Sequence, residues 1–305
     1  KYVLKRQEMM VGFREKRTSF IADMQQCETM VPEVGHSITA LKGLLDGLSC
    51  RDRIPQVQIA QGDDATALLF RHLDPLSVDD QQALLTFCQQ HGFHFYLQPG
   101  GEHTVHRVWP EGGEMRLCYR LSAFGLEMKF HPMDFTQVNP YINEKMVSLA
   151  IQLLDPQPED RVLDLFCGLG NFTLPLATRT HSVVGVEGGE AMVQRGKENA
   201  LHNGLKNVEF YGADLTKPFD GQPWAHGGFT KMLIDPPRSG ALELVSKMTV
   251  FKPQRIVYVS CDPATLARDA GELAKQGYRM SVAGVMDMFP HTTHVESIAV
   301  FEPGK

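Results

Sequence analysis

The sequence predicts an α/β protein, a doubly wound sheet closed by an antiparallel hairpin, preceded by a smaller α+β domain. Three observations carry this reading. From about residue 141 onward, short apolar runs alternate with segments of helical spacing, the pattern of βα units that lay helices on both faces of a parallel sheet. The last two runs, 278–288 and 295–301, follow each other without a helix between them and read as an antiparallel pair. At 305 residues the chain also exceeds one ordinary core, so two domains are expected, 1–125 and 126–305.

In the first domain, short strands are expected at 9–13 and 20–22. Ile38, Leu41, Leu44, Leu45 and Leu48 recur at helical spacing. Runs 57–60 and 65–71 flank the turn Gln61-Gly62-Asp63-Asp64 and read as a strand pair. Ser77 to Asp80 resembles a capping box ahead of a helix over 81–92. Further strands are expected at 93–97 and 115–119, and no catalytic constellation is legible in this half. The second domain opens with a helix over 143–154, followed by strands at 162–166, 182–187, 208–212, 231–235 and 256–260 with helical segments between them.

The composition is that of a soluble globular protein with no biased tract or repeat. No apolar run approaches a membrane span and the N-terminus does not resemble a signal peptide, so a cytoplasmic protein without membrane contact is expected; a monomer is expected as well. Six cysteines lie scattered without CxxC pairs, which argues against a disulfide framework or a zinc site and fits a reducing compartment. A net charge of -6 argues against a surface coated in nucleic-acid-binding charge. Lys1, Lys5, Arg6, Arg14, Lys16 and Arg17 nonetheless make a local basic cluster, readable as a phosphate contact or as a solvated hairpin face.

The stretch from Arg255 to Asp269 organises the second domain. Ile256, Val257, Tyr258 and Val259 form a run suited to a strand buried on both faces. Asp262 and Pro263 then open a helix as N-cap and first helical residue. Cys261 therefore sits at the carboxyl end of a strand and the amino end of a helix, where open α/β sheets bind ligands. Free helix N–H groups there favour thiolate over thiol. An inert buried cysteine is the competing reading of this segment.

Asp164, Cys167, Gly168, Gly170 and Asn171 make a strand, glycine turn and helix start. The G-x-G spacing lacks the third glycine of a pyrophosphate-binding fingerprint. Glu187, ending the next strand, suits a ribose diol because a carboxylate accepts two hydroxyl donors. Asp214, after the third strand, is placed near an adenine edge. This arrangement resembles the S-adenosylmethionine site of class I methyltransferases; a dehydrogenase or a nucleotide-free α/β domain are the alternatives.

Two more segments end strands on the same edge. Asp235-Pro-Pro-Arg238 offers a carboxylate for a ring N–H on a stiff loop, and the loop between the hairpin strands ends at Glu296. Cys261, Asp235 and Glu296 beside a methyl donor suit a pyrimidine. Adding a thiolate to carbon 6 of uracil makes carbon 5 nucleophilic, and a carboxylate such as Glu296 then removes the carbon 5 hydrogen.

The segments from Asp134 to Asn139, Leu163 to Asn171, Asp235 to Arg238, Ser260 to Asp269 and Phe289 to Glu296 resemble, in order, the motifs of the RNA uracil-5-methyltransferase family. The likeness leans towards its 23S rRNA branch, strongly over 130–302 and loosely before that. It implies the class I methyltransferase fold, Cys261 as nucleophile and Glu296 as base. It implies Gln137, Phe166, Gly168, Asn171, Glu187, Asp214 and Asp235 around the donor, with Gln137 and Asp235 also near a flipped uracil and Phe135 as a stacking face. The RNA partner implied is rRNA, with tRNA as the alternative, and the target base must leave its stack.

The resemblance also implies an N-terminal RNA-binding barrel and a [4Fe-4S] centre, neither of which the sequence contains, so the first domain is expected to be truncated at its N-terminus. Cys27 stands where the fourth cluster ligand would be and is expected to be an orphan, since a cluster needs about four thiolates. Two rival functions remain: a methyltransferase acting on an exocyclic amine, against which the cysteine weighs, and a non-catalytic RNA-binding factor on the same scaffold.

Overall fold

The computed structural model describes residues 2–3 and 7–304. Among the basic residues near the start, Lys1, Lys5 and Arg6 lie outside the described residues; Arg14, Lys16 and Arg17 are exposed. The chain forms two compact units, one of residues 1–118 with His131–Met133, the other of Tyr119–Phe130 with Asp134–Lys305.

The first unit is built on a four-stranded sheet in the order Gln56–Gln61, Thr66–Arg71, His94–Gln98 and His106–Trp109. The outer pairings are antiparallel and the central one is parallel. The helices Ile38–Gly47 and Val78–His91 complete its core, in which Leu41, Leu45, Phe70, Leu84, Phe87 and Phe95 are buried together. Ser77 caps the second helix by accepting the Asp80 N–H, and Gly92 ends it in the left-handed region. The strand 106–109 is absent from the sequence expectation because its residues, His-Arg-Val-Trp, neither alternate nor form an apolar run.

The second unit holds a seven-stranded sheet: β1 (Arg161–Leu165), β2 (Ser182–Glu187), β3 (Val208–Gly212), β4 (Lys231–Ile234), β5 (Arg255–Ser260), β6 (Tyr278–Met286) and β7 (Glu296–Pro303), in the spatial order 3-2-1-4-5-7-6. The first five run parallel, and β7 inserts antiparallel between β5 and β6. Every residue of β4 and five of the six in β5 are buried, which is why these strands read as continuous apolar runs. β6 forms the outer edge and is exposed over most of its length. The order of connection reverses between β1 and β4, opening a crevice at their carboxyl ends. Helix α1 (Pro140–Leu154) precedes the sheet with Asn139 as N-cap. Helices α2 (Thr173–Ala177), α3 (Glu190–His202) and α4 (Pro263–Lys275) follow β1, β2 and β5.

The units part after Cys118, where the sequence expectation stood at residue 125. The strand Leu126–Phe130 belongs with the second unit because side chains of α3 bind its backbone: Asn199 accepts the Lys129 N–H at 2.8 Å and donates to its carbonyl at 3.0 Å, and Asn203 does the same for Glu127. Among the described residues no helix is long and apolar enough to cross a membrane.

Candidate active site

β1 ends at Leu165 and the chain turns at Phe166, whose φ of 63° is unusual for a large side chain. Gly168 and Gly170 follow at φ 54° and 99°. A Cβ on Gly170 would fall 2.5 Å from Leu174 Cδ1, so both the backbone conformation and the space there require glycine. Three left-handed residues within five positions at a strand end mark a backbone shaped for something other than stability. The Gly168 N–H donates to Glu187 Oε2 at 3.0 Å and the Gly189 N–H to Oε1 at 2.9 Å. Glu187 is thus oriented by backbone donors from both sides, and each oxygen retains a lone pair for a hydroxyl.

Beneath this turn lies a carboxyl that the sequence reading placed in the motif without giving it a role. Asp164 is fully buried in β1; its Oδ2 accepts the Thr173 hydroxyl at 2.5 Å, while Oδ1 has no partner. Burial pushes it up to about 7 despite the Thr173 hydrogen bond, with Glu187 adding like charge. The signal was present: an acid inside an apolar strand is costly unless something answers it.

Asn171 has a different setting from the one expected. Its amide pairs reciprocally with Asn143 of α1 at 2.8 and 3.1 Å and accepts the Tyr119 hydroxyl at 2.9 Å, so its side chain binds the turn to α1. Asp214 lies exposed past β3, held down to about 2 by the Thr216 hydroxyl first and then by Lys217. Phe135 is 71% exposed and Gln137 half-buried on the segment before α1. That segment is tied to α3 by the Asp134–Arg195 ion pair at 2.7 Å, which is nearly buried on both sides.

The acceptor groups gather on the other side of the crevice. Asp235 continues β4, its N–H donating to the Leu165 carbonyl at 3.2 Å. Ser260 pairs with Ser297 in the β5–β7 ladder, which leaves Cys261 and Glu296, one residue further along each strand, side by side at its end. Glu296 is 3% exposed and Cys261 half-buried. Burial pushes Glu296 up to about 7. Burial pushes Asp235 up to about 8, and the nearby Glu296 and Asp164 carboxyls add to it.

The thiol corrects one sequence expectation. Cys261 is held above its usual range by burial first, then by Glu296 and Asp235, with Arg238 acting in the opposite sense. The helix N-terminus does not reverse this because its donors are already spent: Asp262 Oδ1 accepts the Ala264 and Thr265 N–H groups at 2.9 and 3.3 Å. Arg238 lies within 3.2 Å (Nη2) of His294 Nε2, which links the β4 loop to the β6–β7 loop.

Asp164, Asp235, Glu296 and Cys261 therefore form a desolvated, acidic group of side chains in electrostatic reach of one another. Among the described residues, Asp235 and Glu296 have no ion-pair partner, and a bound cation would lower the cost of ionising all three carboxyls. The donor set fits S-adenosylmethionine, which carries a sulfonium and an ammonium as well as a ribose diol. An iron–sulfur centre fits less well. Cys27 is half-buried, its sulfur within hydrogen-bond reach of Thr29 Oγ1 at 3.1 Å, and no group of three His, Cys, Asp or Glu side chains among the described residues can hold a metal ion. The described residues do not make a cluster site.

Residues 156–297 match the family model described as a methyltransferase domain. The chain is 61% identical over its whole length, and over 68% of the relative, to the 23S rRNA (uracil(1939)-C(5))-methyltransferase RlmD of Alcanivorax borkumensis. It is 55% identical to the RlmD of Alkalilimnicola ehrlichii, over 99% of this chain and 68% of that one. Among solved structures it resembles the Pyrococcus abyssi tRNA (uracil-54, C5)-methyltransferase in complex with S-adenosyl-L-homocysteine, with a TM-score of 0.75 and 26% identity over 96% of this chain and 72% of that one. With the sheet order, the glycine turn and the cysteine–glutamate ladder end in place, the chain belongs to the RlmD family of class I RNA (uracil-C5)-methyltransferases.

Proposed function

We propose that this protein transfers a methyl group from S-adenosylmethionine to carbon 5 of a uridine in 23S rRNA, with Cys261 as nucleophile and Glu296 as base. The observation that carries the reading is the β5–β7 register, which sets the two side chains next to each other at the open end of the sheet. The 23S rRNA substrate is the one in the names of the RlmD relatives from Alcanivorax borkumensis and Alkalilimnicola ehrlichii.

Bound S-adenosylmethionine supplies the electrophilic methyl group. Glu187 would receive the ribose hydroxyls, the glycine turn of 168–170 would admit the donor's close approach, and Asp164 Oδ1 would be free to accept a donor N–H. Gln137, Phe166, Asn171 and Asp214 complete the surroundings of the donor, Asn171 by holding the turn against α1. Asp235 faces the uracil edge and Phe135 stacks on RNA.

Cys261, which is half-buried, gives its proton to solvent, and its sulfur forms a bond to carbon 6, moving the ring π electrons to carbon 5 and the O4 enolate. Carbon 5 would then take the methyl group from the bound donor as the S–CH3 bond breaks, its electron pair staying on the departing neutral thioether, S-adenosylhomocysteine. Glu296, as carboxylate, then removes the carbon 5 proton; the carbon 5–carbon 6 double bond re-forms and expels the Cys261 thiolate.

RNA carrying 5-fluorouridine tests this directly, because carbon 5 then has no removable proton. The expected product is a stable covalent adduct mapped to Cys261, with tritium release from 5-tritiated uridine RNA in parallel. An enzyme methylating an exocyclic amine forms no adduct and releases no tritium. A non-catalytic RNA-binding factor also shows no S-adenosylmethionine binding by calorimetry.

A further inference from the structure

The Arg268-Asp269 pair of α4 is not used by the reaction, yet Asp269 is fully buried and carries a dense set of bonds. Its Oδ2 accepts the Ala241 N–H at 2.6 Å and the Tyr258 hydroxyl at 2.6 Å, and its Oδ1 accepts Arg268 Nε at 2.8 Å. Arg268 Nη2 donates to the Ser239 carbonyl at 2.8 Å. Between these two anchors lies Gly240, at φ 75°, where a Cβ would stand 2.5 Å from Arg268 Nη2 and 2.6 Å from Asp269 Oδ2. A buried carboxylate is tolerable only when its oxygens are satisfied, and here the donors come from three elements: the loop after β4, strand β5, and α4 itself.

The arrangement has a direction. Tyr258 lies three residues before Cys261 on β5, and Asp269 lies eight residues after it on the helix that Cys261 introduces. The loop they grip is the one that carries Asp235 and Arg238. The nucleophile is therefore bracketed on both sides by groups whose partner is the acceptor loop. Glu187, Gly168 and Gly189 hold the donor turn with bonds of their own and share none with this network.

We propose that Asp269 is a positioning residue for methyl transfer: it holds the loop of Asp235 and Arg238 at the height of the Cys261 sulfur and so sets how the uracil lies over the nucleophile. The proposal rests on the uridine methyltransferase reading above. A misplacement of about 1 Å in such a constellation costs about 100-fold in rate, so the effect belongs on the chemical step rather than on donor binding.

Asp269→Asn keeps the shape but turns one accepting oxygen into an NH2 group that cannot accept from Ala241 or Tyr258. Tyr258→Phe removes a single donor and leaves the charge in place. For each, S-adenosylmethionine affinity is measured by calorimetry, kcat and KM by tritium release, and adduct formation with 5-fluorouridine RNA by gel shift over time. The expected result for Asp269→Asn is a kcat lower by about 10- to 100-fold, slower adduct formation, and donor affinity within about twofold of wild type, with Tyr258→Phe changed in the same sense but less. An unchanged kcat in folded variants overturns the proposal, as does a donor affinity that falls in step with kcat, which is the mark of general destabilisation. If Asp269→Asn does not fold, Tyr258→Phe decides by the same criteria. Wild-type protein that binds donor but gives neither tritium release nor adduct instead defeats the functional reading itself.

Discussion

Cys261 and Glu296 lie at the end of one antiparallel ladder, each a single residue beyond the Ser260–Ser297 pair. Directly opposed residues in such a ladder keep their Cβ atoms about 5 Å apart, close enough for a carboxyl to reach the ring carbon next to the one the sulfur attacks. The pairing of β5 with β7, rather than any loop, sets this distance.

The two groups should fail differently. Cys261→Ala is expected to abolish both tritium release and the 5-fluorouridine adduct. Glu296→Gln should still allow addition and methylation but block proton removal. It is expected to lower kcat by about 100-fold or more and to accumulate an adduct on ordinary uridine RNA, visible as a shifted band on a denaturing gel.

The state of the thiol can be followed without substrate. Iodoacetamide reacts with thiolate, so its rate against pH at Cys261, followed by peptide mass mapping because five other cysteines are free, reports the titration of that thiol. The midpoint should lie above that of a free cysteine. Glu296→Gln should bring it down by removing a neighbouring negative charge, and Arg238→Ala should push it further up by removing the cation that favours thiolate. A midpoint indifferent to both changes contradicts this account.

Asp235 should make the fold less stable in alkali. Its folded-state pKa of about 8 stands above the ordinary carboxyl value, so between about pH 4 and 8 the folded protein holds a proton that the unfolded chain has released. Stability from this group is complete below about pH 4 and falls as pH rises through that window. Asp235→Asn cannot ionise. By calorimetry its Tm should match wild type near pH 4 and exceed it by a few degrees at pH 8.

The segment bearing Phe135 and Gln137 depends on a nearly buried ion pair. Arg195→Met leaves the Asp134 carboxylate, 8% exposed, without that guanidinium, at a cost of about 3 kcal/mol in chemical denaturation. The loosened segment should raise KM for RNA more than KM for S-adenosylmethionine. Equal changes in both would place the segment outside the RNA contact.

Sequence and structure part company in a patterned way. Strands β2 and β3 are placed to the residue, and the helix after Cys261 to within one, because buried parallel strands are continuous apolar runs and an Asp-Pro start is unambiguous. Residues 126–130 were expected in the second domain but not as a strand; asparagine side chains from the α3 segment hold their backbone, a long-range relation with no local trace. Within the site, the motif residues were legible one by one. The unpartnered oxygen of Asp164, the pairing of Asn171 with Asn143, and the grip of Asp269 on the acceptor loop were not.

By itself the amino-acid order determined the strands of the seven-stranded sheet, that the last two close it, and which side chains end at its carboxyl edge. Apolar periodicity and turn chemistry are local, so they survive in one dimension. Only the tertiary structure decided the protonation preferences of those side chains. Free helix N–H groups would have favoured thiolate at Cys261, but Asp262 occupies them while burial and two carboxyls hold the proton on sulfur. Desolvation and charge proximity depend on what surrounds an atom in space, and that is settled when β7 slides in beside β5.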